Sequence, residues 1–118
     1  MHIATIIKTH EELIPNLNLL YKELSNKAEE FSHIYKVGRT HLQDATPMKL
    51  GQEFSAFAHM IKKDIERIES VIPDILELAQ GGTAVGTGLN TYEGFDIKVA
   101  EEISKETGYA FTSAPNKF

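Results

Sequence analysis

Between Leu50 and Ala79 apolar side chains recur at Leu50, Phe54, Phe57, Ile61, Ile65, Ile68, Ile72, Leu76 and Ala79. Steps of three or four residues, sustained for about eight turns, are the signature of one long amphipathic helix. Pro47 suits the first helical turn after a Thr46 N-cap, and Gly81-Gly82 supplies a stop, so the spacing predicts a helix from Pro47 to Gln80. A helix of about 34 residues is ~51 Å long at 1.5 Å per residue. A compact globule of this size would be only ~35 Å across. A lone globule cannot hide such a helix, which is therefore expected to pack against helices from other chains or from a longer parent chain.

The rest of the 118 residues repeats the pattern. Ile3, Ile6, Ile7, Leu13, Leu17, Leu20, Leu24, Ala28 and Phe31 keep to one face and predict a helix over about 2–33. Pro15 removes the bond its N–H would donate to Glu11, so a kink near Glu11 is expected in a stripe that stays in phase. A shorter helix is expected over 92–107, capped by Thr91 and ended by Gly108, with Phe95, Val99 and Ile103 inward and Glu101–Lys105 paired across a turn. The fold class read from these stripes is all-α, with long antiparallel helices.

Composition narrows the chemistry. With 42% hydrophobic and 25% charged residues and no cysteine, the chain has the proportions of an ordinary soluble domain. A disulfide scaffold, a thiolate metal site and a thiol nucleophile are excluded. Residues 1–40 carry five basic and five acidic groups, and residues 41–118 carry seven and twelve. That acidic excess offers no phosphate-binding surface, so no nucleic-acid partner is expected. No apolar run reaches the roughly 20 residues that span a bilayer, and no membrane partner is expected either. His2, His10, His33, His41 and His59 include no i,i+3 or i,i+4 pair, so no helical metal site is expected.

Two polar breaks remain for function. Residues 36–47, Lys-Val-Gly-Arg-Thr-His-Leu-Gln-Asp-Ala-Thr-Pro, are expected as a loop that packs Arg39, Thr40, His41, Gln43 and Asp44 into six positions. Fixed positive charge, a hydroxyl and a titratable imidazole together can bind and act on a small carboxylate. An Arg39–Asp44 pair, with Thr40 and His41 capping helix ends, accounts for the same residues without chemistry. The second break, Gly81-Gly-Thr-Ala-Val-Gly-Thr-Gly-Leu-Asn90, superficially suggests a phosphate loop. It follows a helix, lacks Gly-Lys-Ser/Thr, and fits a tightly turned structural loop better.

These breaks are also specific. Gly38-Arg-Thr-His-Leu-Gln-Asp-Ala-Thr-Pro47 with Leu50-Gly-Gln-Glu-Phe54, then Gly81 to Thr91, then Ala114-Pro-Asn-Lys-Phe118, closely resemble class II fumarate hydratase, the iron-independent fumarase of the fumarase/aspartase superfamily. The resemblance covers essentially the whole chain. It implies a piece of the family's central helical-bundle domain, in a homotetramer whose active sites each draw on three subunits. The implied reaction is reversible anti addition of water to fumarate, giving L-malate through a carbanion, with no cofactor or metal, in the cytoplasm or, in a eukaryote, the mitochondrial matrix. It further implies His41 as the catalytic imidazole, Thr40 as a substrate-carboxylate contact, and Arg39, Gln43 and Asp44 as support for the segment. The family's Ser-Ser-Asn-Asp segment and its Gly-Ser-Ser-x-Met-Pro-x-Lys-x-Asn loop, with the serine base, do not occur in this sequence. The isolated chain is therefore expected to be inactive. Aspartate ammonia-lyase activity, or a self-associating helical module without catalysis, are the competing readings.

Overall fold

The computed structural model describes all residues, 1–118. It is predominantly helical: α1 (His2–Lys8), α2 (Ile14–Glu30), α3 (Leu50–Leu76) and α4 (Phe95–Thr107), with two small sheets, β1 (Tyr35–Thr40) against β2 (Gln43–Lys49) and β3 (Glu77–Leu78) against β4 (Thr112–Ser113). The residues group into two compact units, Glu12–Glu69 and Met1–Glu11 with Ser70–Phe118. No helix is long and apolar enough to cross a membrane.

Proline shapes the first helix as its chemistry requires. Thr9–Leu13 forms a π-helical turn between α1 and α2, where Pro15 leaves the Glu11 carbonyl without its usual donor. The expected continuous helix over 2–33 is thus interrupted there and ends at Glu30.

In the Glu12–Glu69 unit, α2 and α3 run antiparallel. They pack tightly at Gly51, which is buried; a Cβ there would collide with the Ala28 carbonyl oxygen and lie 3.0 Å from Ser32 Cα. The Gly51 N–H donates to the Phe31 carbonyl at 3.1 Å, and that of Leu50 to Ile34 at 2.9 Å, fixing the entry of α3. Phe31 and Phe54 pack edge to face with centroids 5.2 Å apart. The buried positions of α3 are Gly51, Ala58 and Ile65, at a seven-residue spacing, and of these only Ile65 belongs to the expected stripe. Phe57, by contrast, is exposed.

Helix α3 begins at Leu50 rather than Pro47, because Thr46 and Pro47 lie within β2. The Lys49 N–H is capped by Gln52 Oε1 at 2.9 Å instead. The helix ends at Leu76, not Gln80: Glu77 and Leu78 pair in parallel with Thr112 and Ser113. Its 27 residues measure ~40 Å at 1.5 Å each.

The other unit has a core of Ile6, Leu78, Ala100 and Phe111, packed by Ile3, Ile72, Ile75, Leu76, Ile103 and Tyr109. Burying a side chain such as Ile6 contributes roughly 1.5–3 kcal/mol. Helix α4 starts at Phe95 behind a left-handed Gly94 and ends at a left-handed Gly108. Thr91 does not cap it, because its hydroxyl donates to the Gly88 carbonyl at 2.6 Å. Lys105 pairs with Glu102, three residues before it at 2.5 Å, rather than with Glu101.

Candidate active site

The segment expected as a loop over 36–47 is a β-hairpin. Tyr35 pairs with Lys49, Arg39 with Asp44 and Thr40 with Gln43, with an irregularity at Gly38, leaving a two-residue turn made of His41 and Leu42. Both turn residues are left-handed, φ 50° at His41 and 61° at Leu42. Two positive φ values are what a tight hairpin turn with the right twist demands, and glycine or asparagine normally supplies them. His41 and Leu42 adopt that geometry at a conformational cost.

The hairpin presents its polar residues outward. Thr40, His41, Leu42 and Gln43 are all exposed, and the side chains of Thr40, His41 and Gln43 make no hydrogen bond or ion pair within the chain. Arg39 Nε and Asp44 Oδ1 lie 3.3 Å apart, each strongly exposed. The pairing read from sequence is therefore present. Capping by Thr40 and His41 is not, since the hairpin holds both away from any helix end. At the base of the hairpin Lys36 pairs with Glu53 of α3, tying the strands to the helix. The concavity there is lined by Lys36, Val37, Gly38, Arg39, Met48 and Glu53, without Thr40 or His41.

The glycine-rich break is organised differently. A cavity of about 270 Å³ lies against Gly81, Gly86, Gly88, Thr91, Asp96 and Lys117, among others. Lys117 Nζ is already committed, 2.9 Å from Asp96 and 2.9 Å from the Ala114 carbonyl. Ser113 donates to the same Asp96 carboxylate at 2.6 Å. The Ser113 hydroxyl and then Lys117 hold the Asp96 carboxyl down at about 2. A phosphate would meet Asp96 and Glu93 here rather than a free cation, which agrees with the structural reading of this loop. No group of three or more His, Asp or Glu gathers anywhere as metal ligands.

A family model described as lyase matches residues 1–118. The chain belongs to the lyase family. This lyase chain is 56% identical over all of its 118 residues to the mitochondrial fumarate hydratase of Schizosaccharomyces pombe, covering 23% of that protein. It is 58% identical over the same span to the class II fumarate hydratase of Rhizobium meliloti, covering 26%. The crystal structure of class II fumarase from Schistosoma mansoni matches 99% of the lyase chain and 28% of its own, with a TM-score of 0.85 and 38% identity. The chain thus spans about a quarter of the length of the curated relatives it matches.

Sequence reasoning located the residues of the tip but not its geometry. The left-handed turn at His41-Leu42 carries no glycine or asparagine to announce it, and the strand Gln43–Lys49 has no alternating apolar face.

Proposed function

We propose that the protein to which this chain corresponds reversibly hydrates fumarate to L-malate. The observation that carries the reading is an outward-facing Thr40-His41 pair on a two-stranded hairpin, in a chain more than half identical throughout to fumarate hydratases. In this reading Thr40 donates its hydroxyl to a substrate carboxylate, and His41 polarises or orients the reacting water. Arg39, Gln43 and Asp44 support the segment. Addition of water at one carbon leaves carbanion charge that spreads into the neighbouring carboxylate, and stabilising that charge is the main electrostatic task. No cofactor or metal enters the scheme. The protein acts in the cytoplasm, or in the mitochondrial matrix of a eukaryote, as a step of the tricarboxylic acid cycle.

The isolated chain is inactive in this reading, because nothing within it faces Thr40 and His41. The full-length protein, with the serine-base loop that does not occur in this sequence, supplies what is missing on assembly into a homotetramer. Support comes from α2, which runs for 17 residues without one buried side chain, and from Leu19, Leu20, Phe57 and Met60, all exposed large apolar residues of the same unit.

The test is turnover by the full-length protein. Fumarate hydration is expected, and His41→Asn should lower it by roughly 10²–10⁴-fold, as loss of a general acid–base group does, with the melting temperature nearly unchanged. Deamination of aspartate without hydration of fumarate would assign an ammonia-lyase instead. Full turnover by His41→Asn would remove His41 from the chemistry.

A further inference from the structure

The hairpin is fastened to its unit on one face. Of residues 35–49, Lys36, Gly38 and Met48 alone are not fully exposed. Lys36 pairs with Met48 across the ladder, and Gly38 lies two residues on, so the three share a face. That face and Glu53 of α3 line the concavity at the base of the hairpin. Backbone bonding closes the base itself, where the Leu50 N–H donates to the Ile34 carbonyl and the Lys49 N–H to Gln52 Oε1. Further along the strands, Lys36 reaches across to Glu53. The other charged side chains of the hairpin turn to partners within it: Arg39 to Asp44 and Lys49 to the Tyr35 ring. An isolated two-stranded hairpin is only marginally stable, so its direction depends on what fastens it.

We propose that Lys36 and Glu53 are positioning residues: their ion pair is a strut that sets the angle at which the hairpin leaves α3, and so places Thr40 and His41 together. The hairpin acts as a lever. Thr40 lies four residues beyond Lys36 on β1, ~13 Å at 3.3 Å per residue, so a tilt of about 5° at the strut carries the tip ~1 Å. A misplacement of about 1 Å can lower a rate by about 10²-fold. The pair is well placed to control direction rather than stability. Its side chains are 35% and 38% exposed, and ion pairs open to solvent add little to folding. Glu53 sits in the first turn of α3, where Leu50 and Gly51 are already held by the Ile34 and Phe31 carbonyls. The strut therefore has one end on a fixed element and the other on the strand that carries Thr40.

The inference rests on the proposed role of the Thr40-His41 tip, and the experiment separates the two. In the full-length protein Glu53→Gln and Lys36→Met each break the ion pair with little change in volume. Each should lower kcat/KM for fumarate by about 10- to 100-fold, with the folded fraction at the assay temperature, followed by circular dichroism, unchanged. The loss should fall on kcat and KM together, because both tip residues ride on one lever, whereas His41→Asn acts chiefly on kcat. The exchanged pair, Lys36→Glu with Glu53→Lys, rebuilds the strut with its ends reversed and should recover most of the loss. A Lys36 ammonium acting directly on the dianionic substrate gives a different pattern: Lys36→Met lowers kcat/KM, Glu53→Gln leaves or raises it, and the exchange recovers nothing. That pattern overturns the inference. Normal kcat/KM in both single variants overturns it too, as does an activity loss matched by an equal loss of folded protein, since the pair would then hold the fold rather than aim the tip. If His41→Asn is inactive while both single variants are normal, only this inference fails; if His41→Asn is fully active, the reading beneath it fails.

Discussion

In the glycine-rich break the Gly82 carbonyl accepts from the N–H groups of Gly86 and Gly88, and beside it Thr91 donates to the Gly88 carbonyl while Lys117 and Ser113 both bind the Asp96 carboxylate. At the hairpin, Thr40, His41 and Gln43 bond to nothing in the chain through their side chains. Both stretches look equally rich in function when read as strings of glycine, threonine and charge. The difference lies in how the backbone is packed: Gly81 and Gly82 are buried and Gly86 lies against Lys117 and Phe118, whereas Thr40 to Gln43 are all exposed. A segment whose backbone is packed into the fold is part of the scaffold, while one that stands clear of it is available to a ligand or a partner.

A substitution in the glycine-rich break should therefore act on stability. Gly86 has φ +93°, and a Cβ there would lie 2.7 Å from the Lys117 carbonyl oxygen and 2.9 Å from Phe118 Cδ1. Gly86→Ala meets both a forbidden backbone conformation and an occupied space. The expected cost is roughly 2–4 kcal/mol in urea unfolding of the intact protein. A cost below about 0.5 kcal/mol, the range of neutral surface changes, would show that the break is not packed against the 114–118 segment and would erase the contrast with the hairpin.

The Asp96 network makes the same contrast visible in pH. Its carboxyl titrates at about 2, below the ordinary 3.8, first because of the Ser113 hydroxyl and then because of Lys117. A depressed folded-state value means that the unfolded chain binds the proton more tightly, so the stabilisation is complete above about pH 4 and is lost as pH falls through 2. Thermal unfolding between pH 4.5 and 2 should show this loss. Asp96→Asn should be less stable than the parent at pH 7 and should show a shallower acid decline in that window. An identical acid decline in the two proteins would remove Asp96 from the account.

How much of this was legible in the sequence depends on the range of the interaction. The α3 stripe, the site of an irregularity near Pro15 and the Gly108 terminus were legible because each is set by residues within one or two turns. Helix α3 ends early because Leu78 finds Ser113, a partner 35 positions away, and no local pattern encodes that pairing. Gly51 and Ala58 are buried for being small where α2 comes close, so a search for large apolar residues passes over them. The candidate site was legible as a set of residues. Its presentation was not, because the hairpin turn is built from histidine and leucine rather than from the residues that normally mark such turns, and because Pro47 suits a helix start as well as it suits the strand that it occupies.

The smallest expected effect is also the finest test of the comparison. Arg39 and Asp44 face each other across the hairpin at 3.3 Å with side chains 77% and 73% exposed, and pairs so open to solvent contribute less than about 1 kcal/mol. The ladder pairing of Thr40 with Gln43 and of Val37 with Pro47 does not depend on them. Arg39→Ala should therefore change unfolding stability by less than about 0.5 kcal/mol. If the hairpin serves a dianionic substrate, as proposed, removing this cation should still lower kcat/KM for fumarate by a few-fold, about 1 kcal/mol or less. The deficit should shrink as salt rises, because the lost attraction is one that the parent also loses to screening. Measuring kcat/KM at low and at about 0.5 M salt, beside urea unfolding of the same variant, decides the matter. A stability loss above about 1 kcal/mol with kcat/KM intact would make the pair a structural brace, and the outward-facing hairpin would then differ less from the glycine-rich break than its geometry indicates.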